Sequence, residues 1–195
     1  MARGLPVGLN WALALVVLAL AALAGLGLEV PRWQWQAHTL WQEPWRLWTC
    51  ALVHGSPLHA GANALGALLL AWLGWRARLK ARDLCALGLA WPLMHALLAL
   101  RADLPAYFGA SGLLHGAATL VGLGLLRGNA HERRIGWAFL AVLALKLLAE
   151  QPWGPALRYE PLWGGMATVP LAHALGAAVA LGVAGLFSAL HRHQG

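Results

Sequence analysis

The stretch Val7-Gly-Leu-Asn-Trp-Ala-Leu-Ala-Leu-Val-Val-Leu-Ala-Leu-Ala-Ala-Leu-Ala-Gly-Leu-Gly-Leu28 carries no charged side chain. At a rise of about 1.5 Å per residue, a helix of this length crosses roughly 30 Å of hydrocarbon. It is too long, and too poor in a small-residue cleavage site, to read as a removable signal peptide, so it is expected to remain as a span. Comparable runs extend from Pro57 to Trp75, Leu84 to Leu100, Gly109 to Leu126, Ile135 to Ala149 and Met166 to Leu190. The fifth is short and contains Lys146. All six are expected to be helices, because lipid offers no partner to the backbone groups of an open strand. The composition agrees: of 195 residues, 60% are hydrophobic and 11% charged, and the mean hydropathy is +0.61. A soluble domain would be about a quarter charged. Six spans leave only short connections, so one all-α, polytopic membrane domain over residues 1–195 is expected.

Charge sets the expected orientation. Arg3, Arg76, Arg78, Lys80, Arg82, Arg127, Arg133, Arg134 and Arg192 fall on one side of the six-span scheme, and Arg32, Arg46, Arg101 and Arg158 on the other. Nine against four places both termini in the cytoplasm. Lys146, inside a span near its outer end, is expected to snorkel. The net charge of +7 therefore reflects topology, and no nucleic-acid partner is expected. The longest connection, Glu29 to Ser56, faces outward and holds five of the twelve tryptophans, so it is expected to lie in the headgroup layer. An anchoring belt and a substrate gate are both open readings of it. Cys50 and Cys85 form neither a disulfide framework nor a CxxC metal pair and read as small apolar residues.

Polar residues inside spans are costly and are therefore functional candidates. The seven acidic residues all fall at span ends or in connections, so no intramembrane carboxylate pair is expected, and the chain has no HExxH. The polar residues that remain inside are His59, Asn63, His95, Ser111, His115, Thr119 and His173, with His54 at the rim. The expected orientation brings His59 and Asn63, Ser111, and His173 from three different spans to one outer-leaflet depth. Gly109-Ala-Ser111-Gly112 gives that layer a chemistry. A serine hydroxyl needs a base, and histidine is the usual one near neutral pH. A helix start beside the serine supplies free N–H groups and the positive end of the dipole for an oxyanion. His59 and Asn63, four apart, share a helix face and can add donors.

These residues carry a resemblance. Arg46-Leu-Trp-Thr49 through His54-Gly-Ser-Pro-Leu-His59-Ala-Gly-Ala-Asn63, Gly109-Ala-Ser111-Gly112 and Ala172-His173-Ala-Leu-Gly176 resemble, in order and spacing, three motifs of the rhomboid intramembrane serine proteases. The resemblance implies Ser111 as nucleophile and His173 as general base, a dyad without an acid. It implies His59, Asn63 and the Ser111 N–H as oxyanion donors, and a wet cavity open to the outer side. Its implied substrates are single-span membrane proteins cut near their membrane boundary, with no cofactor and no metal. Many rhomboids carry an aromatic residue four positions after the serine, where this chain has His115, and a second small glycine where it has Ala180. Ser111-Gly-Leu-Leu-His115-Gly116 is similar instead to the rhombosortase branch, compact six-span proteins of bacterial inner membranes. That branch implies substrates with a C-terminal Gly-Gly tail followed by an apolar helix and a basic end.

His115 stays open between two roles, support of the His173 base and a satisfied interior histidine. His95 and His54 read as structural. A client-binding protein of the same shape without catalysis is the alternative function. Haem or metal ligation by the histidines would leave Asn63 and the Gly109–Gly112 segment unexplained.

Overall fold

The computed structural model describes residues 6–161 and 165–192; Arg3, counted above for orientation, lies outside them. α1 (Leu9–Ala24) continues into a single 3-10 turn at Gly25–Gly27. The outer connection then folds into two one-turn helices, α2 (Val30–Trp33) and α3 (Arg46–Thr49). α4 (Pro57–Arg76) starts where Ser56 accepts the His59 N–H at 3.1 Å and Pro57 takes a first-turn position that needs no donor. α5 (Ala81–Leu97) is capped by Asp83, which accepts the Lys80 N–H at 2.8 Å. α6 (Ser111–Leu126) and α7 (Ala130–Ala149) follow, the latter opened by a reciprocal Asn129/Glu132 capping box. α8 spans Pro170–Arg192.

Several boundaries differ from expectation, α7 for one starting at Ala130 rather than Ile135, and two of the differences have identifiable causes. The last helix starts at Pro170 rather than Met166, because residues 166–168 form β2 (Met166–Thr168). That strand pairs antiparallel with β1 (Arg158–Glu160), Arg158 facing Thr168. Proline at the first helical turn is the local cause. α6 begins at Ser111 rather than Gly109, because Gly109 has φ +104°, a left-handed conformation that stops helix at that point.

The chain is mostly helical, and its apolar helices are those of a membrane protein. Among the described residues, four segments are long and apolar enough to cross a bilayer: Leu9–Gly27, Pro57–Arg76, Ala81–Leu100 and Pro170–Leu190. α6 is apolar but shorter, and α7 carries Glu132, Arg133, Arg134 and Lys146. The distribution of side chains suits lipid. Leu20, Leu65, Trp137 and Val142 are all more than 60% exposed, while the interior is rich in alanine and glycine.

Those small residues set how closely the helices approach. A Cβ at Gly176 of α8 would lie 1.9 Å from the Gly112 carbonyl oxygen of α6, and one at Gly116 would lie 2.9 Å from the Gly176 carbonyl oxygen. Ala180, fully buried, completes the seam against Gly116, so its methyl is compatible with close approach. This is a small-xxx-small contact, in which backbones touch because side chains are missing. It brings the start of α6 and the first turn of α8 together. On the other side, the buried Trp11 indole of α1 donates to the Leu70 carbonyl of α4 at 2.9 Å, and Gly74 makes room for its ring.

The outer connection is a folded scaffold. Buried Arg46 donates to the carbonyls of Pro31 (2.9 Å) and Gln34 (2.8 Å) and pairs with Glu43; Thr49 donates to the Trp33 carbonyl at 3.0 Å. Trp35 and Tyr107 exchange backbone hydrogen bonds of 2.8 and 3.0 Å, and the Gly109 N–H donates to the Cys50 carbonyl at 2.8 Å. The approach to Ser111 is thus held by the loop that precedes α4. Cys50 is fully buried in it, and burial pushes its thiol well above the usual range, as befits a small packing residue; Cys85 is exposed.

Candidate active site

Gly109 does two things at the start of α6. Its positive φ makes the turn that presents Ser111 as the first helical residue, and a Cβ there would sit 2.6 Å from His59 Cε1. Glycine therefore lets the ring of α4 lie directly on the turn that carries the serine. Tyr107, buried beneath it, accepts the Gly112 N–H on its hydroxyl at 3.1 Å, and burial pushes its phenol up to about 12. Among the described residues the Ser111 N–H has no acceptor, so it remains available at the positive end of the helix.

Ser111 and His173 meet. The Oγ to Nε2 distance is 3.0 Å, a normal hydrogen bond across the glycine seam. The opposite nitrogen of the same ring, Nδ1, lies 2.8 Å from Glu150 Oε2. Glu150 caps the C-terminal end of α7 and also pairs with Lys146 one turn earlier. Burial alone would raise its carboxyl, but the hydrogen bonds and charges of His173 and Lys146 outweigh that and hold it well below the usual carboxylate range. An ionised carboxylate only accepts, so Nδ1 carries the proton and Nε2 is left to take the one on Ser111.

His115 makes contacts of both kinds considered for it, to the His173 ring and to a neighbouring helix. Its ring stacks on His173, with centroids 4.2 Å apart and planes 15° from parallel. Its Nδ1 is 2.7 Å from the Ser111 carbonyl oxygen, to which it donates, and its Nε2 accepts from the Lys146 ammonium at 2.9 Å. Lys146 therefore reaches the cavity while its side chain stays about half exposed. It forms a clamp between α6 and α7.

These groups line one cavity of about 480 Å³, together with His59, Asn63, Phe108, Met166 and Val169. Asn63 is 6% exposed, and its Nδ2 has no partner among the described residues; the same holds for His59 Nδ1. A buried amide donor left unpaired costs about 1–3 kcal/mol, and such groups are kept where something else binds them. The residues singled out for oxyanion contact thus share a cavity with the Ser111 hydroxyl. His54, buried, meets His59 edge-on at 4.8 Å, and burial holds its imidazole below its ordinary value. His95 is fully buried away from the cavity, with Nδ1 2.6 Å from the Leu47 carbonyl, where it ties α5 to α3.

The acid is what sequence reasoning missed. A Ser–His pair with no acid was expected, yet a carboxylate sits on the far nitrogen of His173. A weak signal existed in the i, i+4 spacing of Lys146 and Glu150, which puts both on one face of α7. His115, Glu150 and His173 also place one ligand atom each within 4.8 Å of one another. The two rings are stacked, however, so their nitrogen lone pairs lie in nearly parallel planes, which is a poor arrangement for converging on one ion. The Lys146 ammonium already occupies His115 Nε2 and a Glu150 oxygen. The arrangement is that of a hydrogen-bond chain rather than a metal cradle.

Comparison with family models, with curated proteins and with solved structures finds no match to this chain.

Proposed function

We propose that the chain is an intramembrane serine endopeptidase of the rhomboid type, most similar to the rhombosortase branch. In this reading six helices span a bacterial inner membrane, α6 and α7 among them, with both termini cytoplasmic. The substrates are single-span membrane proteins cut near the outer face, and the branch resemblance points to tails with a C-terminal Gly-Gly segment, an apolar helix and a basic end. The single observation that carries the reading is the 3.0 Å contact between Ser111 Oγ and His173 Nε2 on the wall of a cavity that also holds His59 and Asn63.

In the reaction that this geometry supports, Oγ attacks the scissile carbonyl as its proton passes to His173 Nε2. The C–O bond forms, and the carbonyl oxygen takes the negative charge. Asn63 Nδ2, His59 and the Ser111 N–H are the donors that would receive it, each such contact being worth about 10²–10³ in rate. The C–N bond then breaks, and the amine leaves with the proton held by His173. Water, deprotonated by the same nitrogen, hydrolyses the acyl-enzyme and restores the serine.

A fluorophosphonate probe applied to intact membranes tests the nucleophile. Wild type should label, and Ser111→Ala and His173→Ala should not, with expression and helix content unchanged. A reporter carrying the Gly-Gly tail should lose its membrane attachment only when Ser111 is present. Equal reporter cleavage by the Ser111→Ala variant would overturn the assignment, and repeated failure of wild type to label or cleave would favour the client-binding alternative.

A further inference from the structure

We infer that Glu150 is a positioning residue for the general base, so that the site works as a Ser111–His173–Glu150 triad with Lys146 holding the carboxylate in place. The inference rests on the serine-protease reading and adds a carboxylate to a site for which a dyad was expected.

The 2.8 Å contact of Glu150 Oε2 with His173 Nδ1 does more than fill space. A neutral imidazole has one donor and one acceptor nitrogen, and with nothing on Nδ1 either tautomer is accessible. The carboxylate selects the Nδ1–H form, which leaves the Nε2 lone pair facing Ser111 Oγ. When His173 takes the serine proton, the ring becomes a cation beside an anion. Glu150 stays ionised throughout and takes no proton itself. The same division of labour operates in serine proteases with a Ser–His–Asp site, where replacing the carboxylate by an amide leaves the histidine in the wrong tautomer and lowers kcat about 10⁴-fold.

Placement of the acid depends on α7. This helix buries only Gly136 among its residues and packs chiefly on α6. Near the cavity it is tied down by Glu150 to His173 and by Lys146 to His115. Lys146 also pairs with the other carboxylate oxygen of Glu150, which fixes the rotamer that points Oε2 at the base. His115, braced on the Ser111 carbonyl and stacked on His173, transmits that hold to the ring itself. A lysine and a glutamate one turn apart on a lipid-facing helix would otherwise turn to the headgroups.

The test uses the full-length protein in detergent or membranes. Glu150→Ala should slow fluorophosphonate labelling of Ser111 and reporter cleavage by about 10²–10⁴-fold, mainly in kcat rather than KM. Because Glu150 lines the open cavity, formate can enter the space left behind, and it should restore at least tenfold of the lost rate. Formate should leave wild type and Ser111→Ala unchanged. A merely structural glutamate would show no such rescue. Should the alanine variant fail to fold, the isosteric Glu150→Gln should fold and still lose at least 10²-fold.

Labelling of Glu150→Gln or Glu150→Ala within threefold of wild type would overturn the inference while leaving the Ser111–His173 assignment intact. A folded Glu150→Ala variant that is slow but unresponsive to formate would also overturn it, assigning the residue to packing. Failure of wild type itself to label would fall on the protease reading instead.

Discussion

Gly176→Ala is the most informative single substitution, because it tests whether a missing methyl sets the Ser111–His173 distance. A Cβ at this position would stand 1.9 Å from the Gly112 carbonyl oxygen, whereas ordinary contact begins near 3.4 Å. The obstructing atom is backbone in the first turn of α6, so no side chain can swing aside. The two helices must open by about 1.5 Å, or α8 must rotate or slide. His173 lies three residues earlier on the same face of α8, and Ser111 immediately precedes Gly112. Transmitted directly, the opening stretches the Oγ to Nε2 distance from 3.0 Å to about 4.5 Å, beyond hydrogen-bond range. Overpacking of this kind costs about 1–3 kcal/mol in stability, and a 1 Å misplacement of a catalytic group costs about 10²-fold in rate.

The expected result is therefore a folded protein with native helix content, a modestly lower unfolding temperature and fluorophosphonate labelling slowed by at least 10²-fold. Gly182→Ala on the same helix is the control, since nothing lies within 4 Å of its Cβ; it should label normally and gain a few tenths of a kcal/mol from helix propensity. Labelling of Gly176→Ala within threefold of wild type would refute the claim that the seam positions the base.

Asn63→Ala removes an amide whose Nδ2 is unpartnered, so it should lower kcat about 10²-fold while leaving the unfolding temperature unchanged or higher, as measured by paired kinetics and thermal unfolding. Arg127→Met should cost about 2 kcal/mol in urea or thermal unfolding, because it strands the buried Asp83 carboxylate that Arg127 holds through two 2.9 Å bonds; the partial exposure of Arg127 keeps the cost below that of a fully buried pair. The Glu150 carboxyl is depressed in the folded state to about 2 from an ordinary 4.5, so its stabilising contribution is complete above the unfolded value and is lost as pH falls from 4.5 towards 2. Glu150→Gln should accordingly flatten the fall in unfolding temperature across that acid window, and an unchanged slope would remove the carboxylate as its cause.

Much of this molecule can be read in one dimension. Apolar runs long enough to cross a bilayer need no partner to identify them, since the cost of burying charge in hydrocarbon acts on each residue separately. The residues on the cavity wall were largely legible for a related reason: His59, Asn63, Ser111 and His173 are polar in segments that should exclude polarity. Gly109 and Gly112 flank the serine, and the structure gives each a steric reason, a left-handed turn in one case and helix contact in the other.

The hairpin before α8 was less legible because its strands are three residues long, and Met166-Ala-Thr reads equally well as the lead-in to an apolar helix. Pro170 was the available signal. Glu150 and Lys146 escaped for a deeper reason. Charged residues near the end of an amphipathically weak helix are compatible with lipid headgroups or with the protein interior, and the string of residues is the same in both cases. The choice is made by how α7 is rotated about its axis and how close it sits to α6 and α8, which depends on glycines dozens of residues away. Hydrophobicity is a property of each segment and survives in the linear order. The direction in which a charged side chain faces is a property of the packed bundle, and only folding in three dimensions puts the carboxylate on the imidazole.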